Sequence, residues 1–264
     1  SHLNLSTDTD VDLNALGALT ESFQALHQKF KWGGNLAYMV SGVYSLPQSK
    51  VMDALEIDRY SLTGIINQLQ RSGENSYNFL ENITGYNKCL IIGGGESVIN
   101  HLHAIKEYIQ TNPDVLIIHS SARHAECFYE TSNAKAMIIA GDKILKVKDF
   151  LKQFDFYVVG PAPRNVNIEI DDTNDFYELR PTKLLSDYPD SPLSISLGAA
   201  LELGIYDIDL VGFDGYSELK MKKELYLMHE NQKIIDEFVS VRNITSLTPT
   251  SYSTLNKNSI YCFI

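Results

Sequence analysis

After residue 87 the chain alternates between short apolar runs and helical patterns, and this alternation constrains the fold more than any other feature. Apolar runs occur at Cys89–Ile92, Val115–His119, Ala136–Ala140, Phe156–Val159, Ile208–Val211 and Ile244–Leu247. Between most of them lie helical patterns, at Ser97–Tyr108, Val147–Phe154, Ser191–Leu203 and Leu225–Val239. Strands separated by helices require crossover connections, and crossovers produce a mostly parallel, doubly wound α/β sheet of Rossmann-like type. Ser191 is positioned to cap the helix that Pro192 opens and Gly204 closes. The polar, proline-containing stretch 161–190 reads as a long loop with room for a lid.

Before residue 85 the periodicity is helical throughout. Leu13, Leu16, Leu19, Phe23, Leu26 and Phe30 recur at steps that build one apolar face behind Asp12. Trp32-Gly33-Gly34 ends that helix, and residues 72–87, rich in Asn, Ser and Gly, read as a connector. The expected division is a helical region over 1–85 and a nucleotide-binding domain over 86–264.

The first strand of the alternating region runs into Gly93-Gly94-Gly95-Glu96-Ser97. Glycines permit positive φ and close approach of a ligand, and a helix starting at Ser97 would present free N–H groups to a phosphate. A dinucleotide fingerprint would need glycine where Val98 stands and an acidic residue where the second strand ends in Ser120-Ser121. A Walker loop would need a Gly-Lys-Ser/Thr ending, which is absent. A mononucleotide or phosphate site remains, with Gly93, Gly94, Gly95, Ser97, Ser120 and Ser121 as its residues.

A second cluster follows the buried run Ile208–Val211. Asp214 and Tyr216 fall at the carboxyl end of that strand, where open parallel sheets bind ligands. His229, read as opening a helix over Glu230–Val239, has the chemistry of a general base. The remaining histidines have no metal-ligand spacing, and no metal site is expected. A formal net charge of −11 supplies no general attraction for nucleic acid or an anionic membrane, so an anionic substrate must be held locally. Three cysteines without paired spacing, no apolar run long enough to span a bilayer and no signal-peptide pattern lead to an expectation of a cytoplasmic protein.

Residues 89–250 resemble the bacterial sialyltransferase-like fold and a related group containing flagellin nonulosonic-acid transfer proteins and an archaeal pterin diphosphokinase. The likeness rests on the Gly93–Ser97 turn, which resembles a Gly-x-Gly-x-Ser nucleotide turn, and on Gly212-Phe213-Asp214-Gly215-Tyr216, which resembles Gly-[Ile/Phe]-Asp-x-Tyr. His229, ahead of a helix and the run Ile244–Pro249, is similar in position to that group's base. The resemblance implies metal-independent, inverting transfer of a CMP-activated sugar acid for surface-polysaccharide synthesis, with no cofactor. His229 would deprotonate the acceptor hydroxyl, and Tyr216 would ease departure of the phosphate. In that group asparagine usually stands where Gly94 does, and again near strand ends that here carry Ser120-Ser121 and Gly141-Asp142. Residues 10–70, through Lys31–Gly42 and Tyr60-Ser61-Leu62, resemble the helical region after the barrel of hydroxymethylglutaryl-lyase-like (4-hydroxy-2-oxovalerate-type) aldolases. That implies an aldolase domain in a longer parent chain, and a homo-oligomer formed through the N-terminal helices. Two alternatives follow from these likenesses: a non-catalytic nucleotide-binding or docking module of a bifunctional aldolase, and a diphosphokinase acting on a small alcohol.

Overall fold

A computed structural model of the chain describes residues 42, 78–80, 83–140, 152–161, 176–180, 188, 191–216 and 222–264. The chain divides into two compact units, Ser1–Gln70 and Arg71–Ile264. The division falls earlier than residue 85, because part of the expected connector belongs to the second unit's sheet. In the first unit Gly42 is helical; the other helices expected over 1–70, and the aldolase-like likeness, lie outside the described residues.

The second unit is an open α/β sheet in which every pairing among the described residues is parallel. Its strands are β1 (Asn78–Phe79), β2 (Lys88–Ile92), β3 (Leu116–His119), β4 (Lys135–Ile139), β5 (Phe156–Pro161), β6 (Phe176–Leu179), β7 (Asp207–Val211), β8 (Asn243–Ser246) and β9 (Asn256–Lys257). They lie in the order β1-β6-β5-β4-β3-β2-β7-β8-β9. The helices are α1 (Ser97–Asn100), α2 (Leu102–Thr111), α3 (Pro192–Glu202) and α4 (Lys222–Phe238), with 3₁₀ turns at Ala125–Phe128 and Ile260–Cys262.

The central strands are continuous apolar runs because both of their faces are covered. Cys89, Ile91, Leu116, Ile118, Ile208 and Leu210 meet α3 and α4 through Leu193, Ile195, Leu197, Ile234, Ile235 and Phe238. Their neighbours Leu90, Ile92, Ile117 and Val211 face the other way, against Ala104, Ile105, Tyr108 and Ile109 of α2 and against Ile260. Each such fully buried Leu or Ile stabilises by roughly 1.5–3 kcal/mol relative to exposure. Helices on both faces make the fold doubly wound. At the start of β2 and on β7, Asp209 accepts from the Tyr108 hydroxyl at 2.6 Å and pairs with Lys88 at 2.8 Å. Burial, then Asp209, push the Tyr108 hydroxyl well above the ordinary tyrosine range.

Four local expectations are corrected. The stretch 161–190 contains a strand, β6, paired to β5 and β1; residues 162–175 and 181–187 lie outside the described residues. The helix expected over Ser97–Tyr108 is broken at His101 (φ −116°, ψ 19°), whose Nδ1 lies 3.1 Å from the Tyr261 hydroxyl. Lys152–Phe154 form a turn and bend, with Lys152 at φ 71°, and are not the end of a helix. Helix α4 begins at Lys222, so His229 lies in its interior and not at its start. Among the described residues no helix is long and apolar enough to cross a membrane.

The strand order places the site. From β2 the chain steps outward through β3, β4, β5 and β6. It then returns along α3 to β7, on the opposite flank of β2, and steps outward the other way to β8 and β9. Between β2 and β7 the direction of winding reverses, and the loops that leave these two strands diverge. Crevices at such switch points, outside the carboxyl ends of the strands, are where open α/β sheets hold ligands.

Candidate functional site at the switch point

Two turns meet there, Gly93–Ser97 after β2 and Gly212–Tyr216 after β7. Ile92 pairs with Val211, so the ladder delivers both turns side by side. It continues past the strands: the Gly93 amide donates to the Val211 carbonyl at 2.8 Å, and the Gly95 amide to the Gly212 carbonyl at 2.9 Å. A Cβ at Gly93 would overlap the Gly212 backbone, and one at Gly95 would lie 2.6 Å from the Asp214 carboxyl carbon. These glycines therefore admit protein, not ligand, and among the described residues neither has positive φ. The left-handed conformation belongs to Gly212 (φ 75°), where a Cβ would also overlap Val98. Gly94 looks the other way, toward β3: a Cβ there would lie 2.9 Å from Ser121 Oγ.

Asp214 is held tightly. Its Oδ2 accepts from the Ser97 amide at 2.9 Å, and its Oδ1 accepts from the Ser97 hydroxyl. Thr248 Oγ1 lies 3.0 Å from Ser97 Oγ and accepts from the Gly212 amide at 3.1 Å. A carboxylate only accepts, so the single Ser97 proton goes to Asp214 and Thr248 must give its own proton to Ser97. The result is a directed chain from Gly212 through Thr248 and Ser97 to Asp214. Asp214 thereby occupies the start of α1 that the sequence reading left open for phosphate. The amides of Gly94 and Glu96 donate to no protein acceptor among the described residues.

The exit of β8 braces the second turn. Thr250 donates to the Phe213 carbonyl at 2.6 Å, and the Ser251 amide and hydroxyl donate to the Asp214 carbonyl at 2.9 and 3.0 Å. Tyr252 is buried behind it, and its hydroxyl accepts from the Asn231 amide at 3.0 Å. Burial pushes that hydroxyl up to about 12; Asn231 opposes the shift, and nearby Tyr216, Glu230 and Asp214 add to it. A folded-state value above the unfolded one means the contribution is full below about pH 10 and is lost as pH rises through 12. Unfolding measured from pH 9 to 12 should show stability falling, and Tyr252→Phe should make the fall shallower by about 2 kcal/mol.

Ser120 and Ser121 lie beside the first turn. The Ser120 amide extends the β2–β3 ladder to the Ile92 carbonyl at 3.0 Å, and Ser121 Oγ accepts from the Arg123 amide at 3.1 Å. Tyr216 is half-buried near Tyr252. His229 is separate. On α4, Asn231 reaches Tyr252, Gln232 accepts from the Ser253 amide at 3.1 Å, and Lys233 lies 5.8 Å over the Tyr188 ring. His229 is one turn before Lys233 on the same helical face and is exposed. No hydrogen bond joins it to Asp214, Tyr216 or Ser97 among the described residues. The structure thus gathers Gly93, Gly94, Gly95, Ser97, Ser120, Ser121, Asp214 and Tyr216 at the switch point and leaves His229 apart from them, exposed on α4.

The start of α3 holds what sequence reasoning missed. Ser191 is extended (φ −67°, ψ 129°) and its carbonyl accepts the first helical bond from Ile195, but its side chain caps nothing. Ser191 and Ser194 are both 1% exposed, and neither hydroxyl has a hydrogen-bond partner. A buried hydroxyl left in that state costs roughly 1–3 kcal/mol. The spacing Ser191-Pro192-Leu193-Ser194 at a helix start was the available signal; it was read as a cap alone. Thr248 and Tyr252 were also missed. Among the described residues no group of three or more His, Cys, Asp or Glu is placed to hold a metal.

No family model matches the chain, and no curated protein matches it. Among solved structures it is similar to the MAf glycosyltransferase from Magnetospirillum magneticum AMB-1, at 15% identity over 72% of this chain, with a TM-score of 0.46. The chain spans 36% of the length of that protein.

Proposed function

We propose that residues 86–264 form a cytoplasmic glycosyltransferase-like domain that takes a CMP-activated sugar acid and transfers the sugar, with inversion, to an acceptor hydroxyl. The observation that carries this reading is the meeting of the Gly93–Ser97 and Gly212–Tyr216 turns at the switch point, the position at which doubly wound sheets hold nucleotides. The Gly94 and Glu96 amides and Ser121 take the donor phosphate. Ser97 and Asp214, satisfied by one another, shape the turn. Ser191 and Ser194, with the free amides at the start of α3, take the acidic group of the sugar. The acceptor oxygen attacks the anomeric carbon as the bond to the phosphate oxygen breaks. CMP leaves beside Tyr216, and the acceptor proton passes to His229.

Calorimetric titration of the chain with CMP and with a CMP-linked sugar acid tests the reading. CMP binds, and Ser191→Ala/Ser194→Ala weakens the CMP-sugar acid by about tenfold while leaving CMP unchanged. The same double variant raises the unfolding free energy by about 1 kcal/mol or more, because two unpartnered buried hydroxyls are gone. No heat with either ligand removes the proposal.

A second reading is favoured by the mutual satisfaction of Ser97 and Asp214 and by the separation of His229 from them. It is a nucleotide-binding module without turnover, attached to an aldolase in a longer chain. CMP binding with no product from any CMP-linked sugar would favour it.

A further inference from the structure

The anion that the proposed reading requires must be held against a net charge of −11, and the groups assigned to it above are uncharged donors. Among the described residues, Arg123 is a cation beside the glycine turn. Arg123 follows β3, and its backbone amide is tied to Ser121 Oγ at 3.1 Å. A Cβ built on Gly94 would lie 3.6 Å from Arg123 Cβ, so the base of this side chain touches the glycine turn. Its guanidinium is paired with the Glu96 carboxylate, from the turn itself. Ser121 Oγ receives the Arg123 amide proton and keeps its own proton to give, and the Gly94 amide has no acceptor among the described residues. Arg123, the Ser121 hydroxyl and the Gly94 amide thus lie around one turn, and the acceptor seated on the guanidinium is a protein carboxylate.

We propose that Arg123 is the cationic ligand for the phosphate at this crevice, and that Glu96 occupies it when the crevice is empty, so that the phosphate binds by displacing the Glu96 carboxylate. This rests on the nucleotide reading above. The pair suits exchange because both side chains are largely exposed, at 58% and 65%, and exposed ion pairs hold only weakly. A phosphate offers the guanidinium two oxygens in the same planar geometry as a carboxylate, with more charge. Gly94 is small because a side chain there would strike Ser121 and crowd Arg123. No covalent step is involved; one anion replaces another.

The experiment is calorimetric titration of the chain with CMP, cytidine and inorganic pyrophosphate. The variants are Arg123→Gln, Glu96→Gln and the two combined. Arg123→Gln should weaken CMP at least tenfold, and Glu96→Gln should tighten it threefold or more. In the double variant the Glu96→Gln gain should vanish, and cytidine should bind all four proteins alike. Raising salt should weaken CMP on the wild type more than on Arg123→Gln. CMP affinity within twofold of wild type in Arg123→Gln, or no gain in Glu96→Gln, overturns the inference while the nucleotide reading stands. Pyrophosphate binding with this Arg123 and Glu96 dependence, but no CMP binding, supports the inference and removes the CMP reading. Failure of the wild type to bind CMP and pyrophosphate overturns both.

Discussion

Asp214→Ala lowers the unfolding free energy of the α/β unit by about 3 kcal/mol, and its Tm by roughly 6–12 °C for a unit of this size. The substitution removes both carboxylate acceptors of Ser97, a residue 5% exposed, strands its amide and leaves its hydroxyl only Thr248. Hydrogen bonds to a charged partner contribute about 1.5–3 kcal/mol each, so two losses exceed most single-site effects. The proton chain from Thr248 loses its terminus, and Gly212 loses a partner that holds it indirectly. Thermal or urea unfolding of wild type, Asp214→Ala and Asp214→Asn measures this, with the asparagine in between because one acceptor survives. A loss under about 1 kcal/mol would mean that Asp214 is kept for a ligand and not for the turn.

His229→Ala should reduce kcat by about 10²–10⁴ with the Kd for CMP within about twofold of wild type. The side chain lies on α4, outside the Ser97–Asp214 network, so its removal leaves the Gly93–Ser97 turn intact. No structural hydrogen bond depends on it among the described residues, and the variant should unfold within about 0.5 kcal/mol of wild type. Transfer assays with saturating CMP-linked sugar acid, beside CMP titration, separate base from binder. Undiminished turnover would move the base role elsewhere, and a matching loss of CMP affinity would make His229 a ligand residue.

The sheet was legible where strands are buried on both faces, since Leu90, Ile117, Ile138 and Leu210 then need no polar alternation. Strand β6 was not, because Glu178 interrupts a four-residue run inside a polar stretch. Strand β9 is the exposed pair Asn256–Lys257 and carries no apolar signal at all. The helical pattern of α4 starts at Leu225 in the sequence because Lys222–Glu224 precede its first apolar residue, and only the shorter reading over Glu230–Val239 placed His229 at a helix start. In the crevice, Asp214 and Tyr216 were legible from the carboxyl-edge rule, which equally covers Thr248 and Tyr252 after β8. The pairing of Ser97 with Asp214 was not legible, because 117 residues separate them and only the strand order brings them together. The glycines were read as room for a ligand, whereas Gly93 and Gly95 make room for the neighbouring turn.

The same separation sets the order in which the crevice can come into being. Strand β2 can pair with β3 after a short crossover, but its other neighbour arrives only when β7, more than a hundred residues later, has crossed back over four strands. Closing so long a loop costs entropy before any contact repays it, and pairings of this kind form slowly. Early folding therefore proceeds with half of the switch-point crevice, and a ligand that needs both turns has nothing to grip until the second half docks. A ligand that needs both turns acts then as a brake on unfolding and gives the folding chain no push.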